Sequence, residues 1–102
     1  MIHNDEATLV TLSASGSTVT PTETSVFCGK KSVTYREFYA AVQVGINPTY
    51  VFEMDVDEYE QACFVSEGKR HIPTELVYDG AHYNIIRTYE KPDGTIEVTV
   101  SL

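Results

Sequence analysis

From Thr95 to Leu102 apolar and polar residues alternate without a break: Ile96, Val98, Val100 and Leu102 against Thr95, Glu97, Thr99 and Ser101. Successive side chains of an extended chain point to opposite faces, so this spacing predicts a strand with one face buried. Two turns precede it. Asp79-Gly80 lies between apolar runs and suits the positive φ angles of a two-residue type I′ hairpin. Lys91-Pro92-Asp93-Gly94 places proline where φ near about −65° is wanted and glycine where φ must be free. The last third of the chain therefore reads as three consecutive antiparallel strands.

Toward the N-terminus the alternation is weaker. Two strands are expected at roughly Ala7–Ser13 and Glu23–Val33, joined by SASGSTVTPT, whose Ser, Thr, Gly and Pro are loop chemistry. Within SVTYREFYAAVQVGINPTYVF, Ser32 to Phe52, the period changes. Thr34 and Glu37 form a T-x-x-E capping box, and Tyr35, Phe38, Tyr39 and Val42 recur at three- and four-residue spacing. Gly45 suits the position after a helix, and Pro48 forbids continuation. A helix this short is unstable alone and must dock on its own sheet or on a neighbouring chain. Thr49–Glu60 returns to strand, with Phe52, Met54 and Val56 on one face and Glu53, Asp55 and Asp57 on the other. A loop is expected around Ser66–Arg70, and Pro73 delays the next strand. The expected architecture is mainly β: a small antiparallel β-barrel or sandwich of about six strands with one short inserted helix. It forms one domain over 1–102, the inserted helix and loop occupying 33–49.

Composition narrows the function. At 42% hydrophobic and 22% charged, the chain is not wholly disordered. Its net charge of −8 argues against gripping phosphates, because affinity for nucleic acid comes mostly from Lys and Arg displacing counterions. No run approaches the ~20 apolar residues of a membrane span. The start, MIHNDEATLV, has acids where a secretory signal needs bases, so a cytosolic origin is expected. Cys28 and Cys63 then read as free, largely buried thiols.

Catalytic chemistry is not evident. The run EMDVDEYE is rich in carboxylates but lacks the glycine of a calcium loop. His3, His71 and His82 do not pair at metal-ligand spacing, and each reads as a surface residue. A Cys–His nucleophilic pair has no local signature, and no phosphate loop, dinucleotide fingerprint or nucleophile elbow is present. The basic tripeptides at Gly29-Lys30-Lys31 and Gly68-Lys69-Arg70 read as turns. No catalytic residue, metal or cofactor is expected, and the chain is not read as an enzyme.

Two longer patterns carry a resemblance. FCGKKSVTYREFYAAVQVGINPTYVF, with Asp57-Glu58-Tyr59 after it, and LVYDGAHYNIIRTY with the later IEVT resemble the head closure, or stopper, proteins of long-tailed bacteriophages, also called head–tail adaptor or joining proteins. The likeness runs from about Ser25 to Val100; the N-terminal hairpin matches only in type, without the Asp-x-x-Gly turn common in relatives. It implies a small barrel whose inserted segment gates a ring beneath the capsid portal and adaptor. That ring of six or twelve copies holds packaged DNA in the head and offers a docking face to the tail terminator or tail tube. The implied location is the virion, after assembly in the bacterial cytoplasm. DNA passes through without specific binding, and no membrane is involved.

Carried onto this chain, the resemblance implies subunit or partner contacts at Glu37, Phe38, Tyr39, Val42 and Arg87, and a gate at Gly45, Asn47 and Pro48. Arg87 is expected to pair with a neighbour's carboxylate or with Glu37, or to be an ordinary outward strand residue. Phe38 and Tyr39 pack either on their own barrel or between subunits. Some of Glu53, Asp55, Asp57 and Glu58 are expected to face the channel, where carboxylates repel phosphates and let DNA slide. Two other readings compete: a tail terminator or tail-side joining protein, and an acidic DNA mimic that inhibits a host nuclease.

Overall fold

The structure, a computed structural model, describes residues 4–32 and 49–102. The expected inserted helix and gate, with Glu37, Phe38, Tyr39, Val42, Gly45, Asn47 and Pro48, lie outside the described residues.

The elements in chain order are β1 (Asp5–Ser15), β2 (Thr18–Ser32), β3 (Tyr50–Asp55), α1 (Val56–Glu60), β4 (Phe64–Ser66), β5 (Lys69–His71), β6 (Glu75–Tyr78), β7 (Ala81–Glu90) and β8 (Thr95–Ser101). Six strands close into an antiparallel barrel in the order β1-β2-β3-β8-β7-β6, while β4 and β5 form a separate two-stranded sheet. Closure comes from Thr8–Val10 of β1 pairing with Val77–Glu75 of β6. A closed barrel removes the open hydrogen-bonding edges that a flat sheet leaves exposed. Alternation fills its interior: Leu9, Cys28, Phe52, Met54, Leu76, Val98 and Val100 are all fully buried. Phe52 packs on Tyr78 with ring centroids 5.1 Å apart, and Tyr83 meets Tyr50 edge-on at 5.8 Å.

The C-terminal turns form as their residues predict. Asp79 and Gly80 have φ of 51° and 79°, the pair of left-handed residues that a type I′ turn requires. Gly94 sits at φ 87° before β8. Ile96, Val98 and Val100 point inward, whereas Leu102 is exposed.

Three expectations are corrected. SASGSTVTPT is not a loop: the β1–β2 ladder runs unbroken from Asp5↔Cys28 to Ser15↔Thr18 around a turn at Gly16-Ser17. Its threonines and Val19 are β-branched and favour strand, which composition alone hides. Pro21 is tolerated because β2 meets β3 only from Gly29 onward, leaving an edge there that needs no donor.

The expected strand over Thr49–Glu60 ends at Asp55, where helix α1 begins. Asp57 and Glu58 lie in its first turn, where carboxylates favour the positive end of the helix dipole. Helical spacing carries both Val56 and Tyr59 to the core, so the carboxylates of this run do not form one row on a strand. The loop around Ser66–Arg70 is a hairpin, its turn formed by Glu67 and Gly68 at φ 53° and 75°. Strands of three residues leave too short a pattern to read.

Candidate functional site

The outer wall of β3 and β8 carries the densest polar construction among the described residues. Register sets Glu53 directly opposite Glu97 across the β3–β8 ladder. Like charges facing each other repel, so the pair needs cations. Lys31 of β2 forms an ion pair with Glu97. Lys91, at the end of β7, pairs with Glu53 and stands 3.8 Å from Glu97. Glu53 is 6% exposed, so this carboxylate sits largely out of water. Its hydrogen bond holds the Lys91 ammonium above the usual lysine range. Next to the cluster, Arg87, Thr88, Tyr89, Glu97 and Thr99 line a groove of about 370 Å³ on the β7–β8 face.

Among the described residues, the expected site residues fall on three elements: β3, α1 and β7. Glu53 belongs to the wall just described, enclosed rather than presented to solvent. Asp55 is exposed where β3 ends, Asp57 is exposed on α1, and Glu58 on the same helix is half-buried. Arg87 is exposed on β7, past the β-bulge between Ile85 and Arg87, and opposite Thr99. Lys31 and Lys91, read in the sequence as turn residues, are the cations that compensate Glu53 and Glu97. No local signal marks them, since the contacts cross β2, β3 and β8 and depend on register.

A second cluster sits at one mouth of the barrel. The Lys30 ammonium lies 4.5 Å from the Tyr50 ring centroid and 5.2 Å from that of Tyr78, a cation–π arrangement. Here β2 and β3 are directly paired, Ser32 with Tyr50. Ser32 and Tyr50, which bracket residues 33–49 in the chain, are therefore direct cross-strand partners.

Among the described residues, the cysteines and the two histidines, His71 and His82, sit in structural contacts. Cys28 is fully buried, and burial pushes its thiol up to about 11. Cys63 is half-buried, is likewise raised by burial, and its Sγ donates to the Tyr59 carbonyl at 3.6 Å. His82 Nδ1 lies 2.6 Å from Glu75 Oε1, and His71 stacks on Phe64 at 5.3 Å. Arg70 bonds both oxygens of Glu60 at 3.0–3.1 Å. Among the described residues, no group of three or more His, Cys, Asp or Glu side chains is placed to hold a metal ion.

A third feature projects from the barrel. β1 pairs with β6 only as far as Val10, and β2 pairs with β3 only from Gly29. The stretches Thr11–Ser15 and Thr18–Thr22 pair only with each other among the described residues, forming a two-stranded arm. Thr11, at the arm's root, is fully buried and donates its hydroxyl to the Ala62 carbonyl at 2.6 Å.

No protein-family model matches the chain, and a search of curated proteins finds no match.

Proposed function

We propose that this protein is a structural ring component of the head–tail connector of a long-tailed phage or prophage. In this reading it closes the DNA-filled head below the portal and adaptor, offers the docking face to the tail, and performs no catalysis. One observation carries the proposal beside the sequence resemblance: residues 33–49 are inserted between directly paired positions of adjacent strands. A two-residue turn suffices to join such strands, as Asp79-Gly80 does between β6 and β7. The barrel does not need this insertion for its topology, so the segment is available for gating and for neighbouring subunits. Asp55, Asp57 and Glu58 are the acids that would repel phosphates at the channel. Glu53, enclosed and ion-paired, contributes little field there.

Charge pairing bears on the rivals. Glu53, Glu60 and Glu97 each pair with a lysine or arginine within the chain. Carboxylates committed in this way are poorly placed to imitate a row of phosphates, which counts against the acidic mimic. A tail-side joining protein shares the ring logic and differs in where the particle fails.

Electron microscopy of particles lacking the protein tests the proposal. Tailless heads that have lost their DNA support it; sealed, full heads overturn it, and full heads bearing tails of uncontrolled length indicate the tail-side role. A chain in which an Asn-Gly turn replaces residues 33–49 sharpens the test. It is expected to fold as a barrel yet fail to retain DNA.

A further inference from the structure

We draw no further inference here: the strongest candidate, the apolar outer face of the β1–β2 arm at Leu12↔Pro21 and Ala14↔Val19, carries no proposal because nothing in the structure shows what covers it.

Discussion

Replacing Thr11 with Val tests how the arm is fastened to the barrel. Thr11 is fully buried, and its hydroxyl donates to the carbonyl of Ala62, itself 1% exposed, across 51 positions of sequence. Valine has the same branching and fits a strand at least as well, so neither shape nor propensity changes. What changes is the bond. A carbonyl enclosed by protein then loses its hydroxyl donor, at a cost of about 1–3 kcal/mol. The added methyl returns less than about 1 kcal/mol of burial. A net loss of roughly 1–2 kcal/mol is expected, and urea lowers stability by about 1–3 kcal/mol per molar in small domains. The midpoint should therefore fall by roughly 0.5–1 M with an unchanged slope. Thr11→Ser is the control: it keeps the hydroxyl and loses one methyl, about 1 kcal/mol. Urea titration followed by circular dichroism separates the two. A Thr11→Val chain as stable as the parent, or clearly more stable than Thr11→Ser, refutes the claim that this bond anchors the arm.

Three further outcomes are expected. Phe52→Ala, at the centre of the aromatic core, should cost about 3–5 kcal/mol and lower the thermal midpoint by more than 10 °C at order-of-magnitude precision, measured by calorimetry. At pH 8 native Cys28 should resist iodoacetamide, since a thiol raised to about 11 is roughly one part in a thousand thiolate, and mass spectrometry should find it labelled readily only in denaturant. Asp93 accepts from the Thr95 amide at 3.0 Å and from its hydroxyl, which holds its carboxyl below the usual range. The contribution is therefore present above the unfolded carboxyl pKa and lost as pH falls toward the folded one; the stability gap between the parent and Asp93→Asn should close on acidification, and a gap unchanged with pH contradicts this.

Local chemistry was enough wherever one short stretch contained its whole reason. Asp79-Gly80 carries its turn in two residues, and Ile96, Val98 and Val100 carry their burial in a period of two, so both were readable before any fold was known. The mainly β class followed from the same signals. The hairpin through Gly16 was obscured because serine, threonine and proline occur in loops and in exposed edge strands alike; only the unbroken pairing to β2 distinguishes them. At Asp55 the chain could continue extended or turn into helix, and the choice went to the form that brings Val56 and Tyr59 together onto the core. The ion pairs of the outer wall were invisible in sequence. Glu53 and Glu97 become neighbours only through the β3–β8 register, and Lys31 and Lys91 reach them from elements far apart in the chain. Turns and alternation are encoded over a few bonds; the partners of a buried charge exist only after the sheet has closed.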